Sequence, residues 1–152
     1  MTDLLKTKKL YLDDLAVGVE FNSEKYAVVA EEIRDFAKKF DPQPFHLDEE
    51  AAGKTWFEGL IASGWHTAAI TMRLLVQSVP IADGIIGAGA EITWPKPTKP
   101  GDILNVVSTI INISPSKSKP DRGIVTIQSH TLNQRGELCQ RLIAKVLVFR
   151  QR

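Results

Sequence analysis

The stretch from about Ile61 to Val79 restricts the fold more than any other part of the chain. Ile61, Trp65, Ala68, Ala69, Met72, Leu75, Val76 and Val79 put apolar groups around most of a helical circumference, and Pro80 closes the segment. A helix that is apolar nearly all round is a buried helix. The residues that follow are β-prone, over Gly84 to Thr98, Ile103 to Ile113, Gly123 to Leu132 and Leu138 to Arg150. Pro100-Gly101-Asp102 and Asn133-Gln134-Arg135-Gly136 supply turn chemistry between them. In the last of these strands Leu138, Leu142, Ala144, Val146 and Val148 share one face, and Cys139, Ile143, Leu147 and Phe149 the other. Both faces are apolar, so this strand is expected to be covered by the central helix on one side and by a partner subunit on the other.

Upstream, Glu20 to Val29 reads as one strand and Ala30 to Phe40 as a helix, with Ile33, Phe36, Ala37 and Phe40 on one apolar stripe. Pro42 stops that helix and biases Asp41 towards an extended conformation. A short helix follows, with Asp48 as N-cap and Glu49 and Glu50 in its first turn. Helices segregated from strands in sequence indicate an α+β fold with an antiparallel sheet. A sheet curled around one buried helix is the simplest cover for that helix. The length of 152 residues, 43% of them apolar, fits one domain spanning residues 1–152.

Several function classes are disfavoured. The formal net charge is +1, from 19 basic and 18 acidic residues, so nothing global points to nucleic acid or to a membrane surface. Cys139 is the only cysteine, which rules out an intramolecular disulfide and suits a reducing compartment. It reads as a small buried strand residue. The segment Met1 to Lys9 lacks the apolar run of a secretory signal, and no run reaches the roughly 18 apolar residues of a membrane span. The expectation is a cytoplasmic protein. The three histidines are dispersed, with no cysteine pair, so no metal site is expected. Ser63 lies outside a G-x-S-x-G elbow, and Gly84 to Gly89 does not match a dinucleotide fingerprint.

Chemistry concentrates in Phe40-Asp41-Pro42-Gln43-Pro44-Phe45-His46-Leu47-Asp48. Two prolines make this a stiff, extended loop, a good mount for reactive side chains. Asp41 and His46 can converge from it on one pocket, with Phe45 and Leu47 as anchors. A carboxylate and an imidazole facing one water can do concerted acid/base work, which suits addition of water to an activated double bond or its reverse. The same residues equally fit a turn-capping aspartate and a loop histidine. A second constellation, Glu58 to Thr67, opens the central helix. Its free N–H groups and dipole can stabilise negative charge on an oxygen, and Gly64 allows a carbonyl to approach its amide. Alternatively, Gly59 and Gly64 serve close packing of helix on sheet. His66 reads as a core hydrogen-bonding residue or as pocket lining, and His130 as solvent-facing or at a pocket rim. Lys117, Lys119 and Arg122, between two strands, fit either phosphate contacts or a solvated hairpin tip.

The quoted loop, with Phe36-Ala37 before it and Ala51-Ala52 after it, resembles the hydratase motif of MaoC-like dehydratases, the (R)-specific enoyl-CoA hydratases. Gly59 to Gly64 and Trp94-Pro95-Lys96-Pro97 with Pro100-Gly101-Asp102 are similar to further landmarks of that family. The resemblance runs from about Tyr11 to Phe149. It implies a hot-dog fold, in which a sheet wraps a long central helix, and homodimers or higher assemblies with the site near the interface. It implies reversible hydration of trans-2-enoyl thioesters to (R)-3-hydroxyacyl thioesters, with coenzyme A only as part of the substrate and no metal or redox cofactor. Asp41 and His46 match the catalytic pair, with Asp41 as base and His46 as acid. Gly64 matches the oxyanion-hole glycine, with Ser63 and His66 beside it. Gln43 stands where many members have Asn, and its amide is expected to bond the loop backbone. Where members place a serine deeper in the central helix, this chain has Thr71 and Met72. The rival readings are a hot-dog thioesterase and a non-catalytic protein that binds an acyl thioester.

Overall fold

The structure is a computed structural model that describes residues 8–152; the signal-peptide reading of residues 1–7 falls outside them. A short 3₁₀ turn, Leu12–Asp14, precedes two brief strands, β1 (Glu20–Asn22) and β2 (Tyr26–Ala27). The helices α1 (Ala30–Phe40), α2 (Pro44–Leu47), α3 (Glu49–Gly53) and α4 (Gly64–Ser78) follow. The chain ends in β3 (Ile86–Thr93), β4 (Ile103–Pro115), β5 (Arg122–Leu132) and β6 (Leu138–Phe149). All six strands pair antiparallel in the order β1-β4-β5-β6-β3, with β2 also on β4.

The helix α4 packs on the inner face of this curved sheet, which is the hot-dog arrangement. Side chains of a strand alternate between faces. Leu104, Val106 and Ile110 of β4, Val125 and Ile127 of β5, and Leu142, Val146 and Val148 of β6 therefore all turn inwards and are buried. Leu75 and Val79 meet one cluster of these residues, and Ile70 and Leu74 meet a second with Val28, Ile33 and Leu60. Register shifts at Gly87/Gly89, Ile110/Asn112 and Thr131/Leu132 interrupt the ladders. Such bulges increase local twist and help a sheet curl.

Three expectations need correction. The first strand is split in two at Ser23, whose N–H still donates to the Val106 carbonyl but whose hydroxyl, in place of its backbone carbonyl, accepts the Val106 N–H. Phe40 is 63% exposed; the α1 stripe buries Ile33 and Ala37 and ends there. The helix α4 is not enclosed all round: Trp65, Met72 and Val76 are 59%, 41% and 51% exposed. The sheet leaves these three partly uncovered: β3, which Met72 faces across a cavity, is the last strand and among the described residues pairs with β6 alone. Cys139 is fully buried, as the sequence indicates. Among the described residues no helix is long and apolar enough to cross a membrane.

Leu74 is 2% exposed and touches residues from several elements. Leu74→Ala is expected to lower stability by about 2–5 kcal/mol through the cavity it leaves. Urea denaturation should show a lower midpoint at unchanged slope.

Candidate active site

The end of α1 sets the first half of the site. Asp41 caps it, with its N–H donating to the Ala37 carbonyl, and Pro42 prevents continuation. The following segment is not extended throughout, as the prolines lead one to expect. Pro44 instead opens the single turn α2, and His46 sits on that turn. Proline suits this first helical position because its missing N–H would have had no partner there. The turn carries the His46 side chain back towards Asp41.

The second half comes from the entry to α4. The Ile61 N–H donates to the Phe45 carbonyl at 3.0 Å, and the Ile61 carbonyl accepts from His46 Nδ1 at 2.7 Å. A carbonyl can only accept, so Nδ1 carries the proton. The other ring nitrogen, Nε2, lies 3.2 Å from Asp41 Oδ2. Ser63 is the N-cap of α4: its Oγ accepts from the Trp65 N–H at 3.2 Å and donates to Asp41 Oδ2 at 2.6 Å. Gln43 Nε2 donates to Asp41 Oδ1 at 2.6 Å. The Gln43 amide thus holds the carboxylate itself, not the loop backbone. Partial burial pushes the Asp41 carboxyl up. The hydrogen bonds from Ser63 and Gln43 and the adjoining His46 ring outweigh that and hold it below its ordinary value.

Asp41, Gln43 and His46 line a cavity of about 360 Å³ together with Gly64 and Thr67 of α4 and the segment from Trp94 to Thr98. Among the described residues no protein acceptor takes the Gly64 N–H, which belongs to the positive end of α4. Gly64 is required by a neighbour: a Cβ there would lie 2.7 Å from Cε2 of the Trp94 indole. Gly59 has no such neighbour. All three tryptophans of the chain, Trp56, Trp65 and Trp94, line the cavity, as do Phe45 and Phe57. The cation on its wall is Lys96, 3.6 Å from Glu137.

The structure separates the remaining sequence candidates from this cavity. His66 is buried and stacked on Phe36 with centroids 4.9 Å apart; it lines no part of the cavity. Burial depresses the basicity of its ring, an effect that Glu32 opposes and His46 reinforces. Lys117, Lys119 and Arg122 lie at the β4–β5 hairpin, at the opposite end of the 13-residue β4 from Thr98. At about 3.3 Å per residue that strand carries them roughly 40 Å away. Arg122 is paired there with Asp121 at 2.9 Å and lies over Phe149. His130 is half-buried on β5 and lines no part of the cavity. Thr71, at the depth in α4 where related chains have a serine, bonds Thr131 at 2.6 Å inside the core, and the serine beside the pair is Ser63. Among the described residues no group of three or more His, Cys, Asp or Glu is placed to hold a metal ion.

Ser63, Gln43 and the aromatic wall escape a reading by spacing. Two signals were available. Gln43 lies two residues from Asp41, within reach of its carboxylate, and a serine directly before a helical glycine is an N-cap pattern.

Ser63→Ala is expected to raise the Asp41 pKa towards its ordinary value, since the strongest donor to the carboxylate is gone. A group whose folded pKa is lowered stabilises the fold above its unfolded pKa, and that contribution is lost as pH falls through the folded value. The variant should lose this contribution at a higher pH than the parent. It should also lose about 1 kcal/mol at neutral pH from the missing cap. Carboxyl-detected NMR titration and denaturation at several pH values provide the readouts; an unmoved Asp41 pKa would contradict the assignment.

The fold and this geometry agree with three kinds of relative. A model of the MaoC like domain matches residues 15–131. The chain is 37% identical to the uncharacterized protein YdeM of Bacillus subtilis (strain 168) over 127 residues, 82% of this chain and 88% of that protein. It is 27% identical to a 3-hydroxybutyryl-CoA dehydratase of Methylorubrum extorquens over 117 residues, 76% of this chain and 73% of that one. The crystal structure of a MaoC-like dehydratase from Rhodospirillum rubrum superposes with a TM-score of 0.93 at 64% identity, covering 94% of this chain and 99% of that one. With the family model matched over most of its length, the chain belongs to the MaoC-like domain family.

Proposed function

We propose that the protein is a hydro-lyase that adds water reversibly to the 2,3-double bond of an enoyl thioester, an enoyl-CoA, to give the (R)-3-hydroxyacyl product. One observation carries this reading: the Asp41 carboxyl and the Nε2 of His46 stand 3.2 Å apart on the wall of a cavity that Gly64, at the start of α4, also lines. The likeness to a 3-hydroxybutyryl-CoA dehydratase agrees with it.

The hydrogen bonds support one division of roles. With Nδ1–H donated to the Ile61 carbonyl, Nε2 satisfies the Asp41 carboxylate only when it too bears a proton. Asp41 is thus the base and His46 the acid. A water held between them attacks C3 of the enoyl group while Asp41 takes its proton. The π electrons move towards the thioester oxygen, which the Gly64 N–H stabilises. His46 delivers its Nε2 proton to C2. The proton on Asp41 then crosses to Nε2 and restores the pair. Both proton transfers involve one face of the substrate, so addition is syn.

The same reading includes self-association. Trp65, Met72 and Val76 form an exposed apolar stripe along α4, and the outer edge of β3 has unpaired backbone groups. A second copy of the chain covers both at once in a homodimer. Val76→Glu is expected to shift the mass measured by light scattering towards monomer; an unchanged mass in a folded variant would place the interface elsewhere.

Crotonyl-CoA should lose its enoyl absorbance without release of free thiol, and chiral analysis should find the (R) product. Asp41→Asn and His46→Gln should each lower kcat by at least about 10²-fold, the range of a positioned acid or base. Thiol release would establish a thioesterase instead, and tight thioester binding without turnover a non-catalytic protein. Full hydratase activity in a folded Asp41→Asn protein would eliminate the mechanism.

A further inference from the structure

One wall of the candidate cavity is the indole of Trp94, which rests on Gly64 so closely that no side chain fits beneath it. Its ring is edge-to-face with Trp65, centroids 5.4 Å apart. Its Nε1–H donates to Oε1 of Gln140 at 2.9 Å. Gln140 is fully buried on β6, and it does not line the same cavity. It lines a second one, of about 340 Å³, between α4 and the strands β3 and β6. Ala68, Met72, Ile92 and Leu142 are among its walls, and Gln140 contributes its only polar side chain.

The two cavities share no lining residue, and the Trp94–Gln140 hydrogen bond joins a wall of one to a wall of the other. Gln140 Nε2 has no partner among the described residues. A buried donor left unpaired is destabilising, so a leucine would suit this apolar site better on stability grounds. What the carboxamide supplies that leucine cannot is the acceptor for the indole.

We propose that Trp94, pinned by Gln140, is the specificity-determining partition that limits acyl-chain length. With the indole in place the acyl tail is confined to the first cavity. With the indole gone, the tail of a longer acyl group runs past Gly64 and Ala68 into the second, apolar cavity, whose outer side at Met72 and β3 is the face that the second copy closes in the proposed homodimer. Gln140 acts through Trp94 and is a positioning residue. This inference rests on the acyl-thioester reading above.

The test uses two variants of the full chain. Trp94→Ala removes the partition, and Gln140→Leu removes only its pin while preserving volume. Saturated acyl-CoAs from butyryl to dodecanoyl, which have no double bond to hydrate, are titrated by calorimetry. Values of kcat/KM for the matching enoyl-CoAs are measured alongside. Each methylene entering an apolar cavity is worth about fourfold in binding. In Trp94→Ala the affinity ratio of octanoyl-CoA to butyryl-CoA should rise at least about tenfold over wild type, and kcat/KM should follow the same trend. In Gln140→Leu the ratio should rise by about threefold or more, with no further rise when the two changes are combined. A general loss of packing would weaken all chain lengths alike and leave the ratio unmoved. A ratio within about twofold of wild type in both variants overturns the proposal. If wild type hydrates crotonyl-CoA and the variants keep its length profile, the partition alone fails. If the profile shifts but wild type hydrates no enoyl-CoA, the hydratase reading fails and the partition stands. Absence of acyl-CoA binding by wild type overturns both.

Discussion

The hydroxyl of Ser63 ties the buried helix to the reactive loop. It accepts the Trp65 N–H as the cap of α4 and donates to Asp41 Oδ2 at 2.6 Å. A helix start leaves its first amides without partners, and an N-cap oxygen satisfies one of them. Here the capping oxygen is also a donor, and the carboxylate it holds comes from a segment 22 residues earlier. The position of α4 in the sheet therefore fixes the position of Asp41. The carbonyl of Ile61, two residues before the cap, does the same for His46 through Nδ1. Both side chains are referenced to the same helix end, which also presents the Gly64 N–H. Three groups that must agree within fractions of an ångström are thus built on one rigid element and not on three separate loops.

That helix end is held in turn by an unusual amount of polar bonding inside an apolar core. Thr67 donates to Thr98 at 3.0 Å and Thr71 meets Thr131 at 2.6 Å, both from α4, while Ser108 meets Ser129 at 2.8 Å between β4 and β5, all buried. Buried hydroxyls are tolerated only when paired, so each pair admits one alignment of its two elements. The Ala62 N–H also donates to the Thr98 carbonyl at 2.8 Å, stitching the entry of α4 to the segment before β4. Apolar packing alone would let α4 rotate or slide among similar arrangements. The hydroxyl pairs select one, and with it the direction of the helix dipole at the cavity.

Much of this was legible in the chain itself. The long apolar segment, the four β-prone stretches and the turn at Asn133 to Gly136 correspond to α4, β3 to β6 and the last hairpin. The helix from Ala30 to Phe40 ends where Pro42 requires. The Asp48 cap is present as its side chain accepts the Glu50 N–H. Each of these is a local matter, decided by periodicity, proline or capping chemistry within a few residues. The expectations that failed depend on distant partners. Lys117, Lys119 and Arg122 lie at the far end of β4 from the cavity of their own chain, a separation that local spacing does not reveal. Of the two readings of His66, core residue or pocket lining, the turn of the helix decides for the core, where it stacks on Phe36.

The amino-acid order determined that a helix apolar on most sides would pack against an antiparallel sheet, and that an aspartate and a histidine would share one stiff segment, because burial periodicity and proline geometry act over a few residues. It did not determine that Asp41 and His46 meet at 3.2 Å, that Ser63 and Gln43 hold the carboxylate, or that Trp94 lies on Gly64. Those contacts join residues 2 to 30 positions apart through α2, α4 and the end of β3. Their distances follow from how the elements pack, and side-chain spacing along the chain carries no record of that packing.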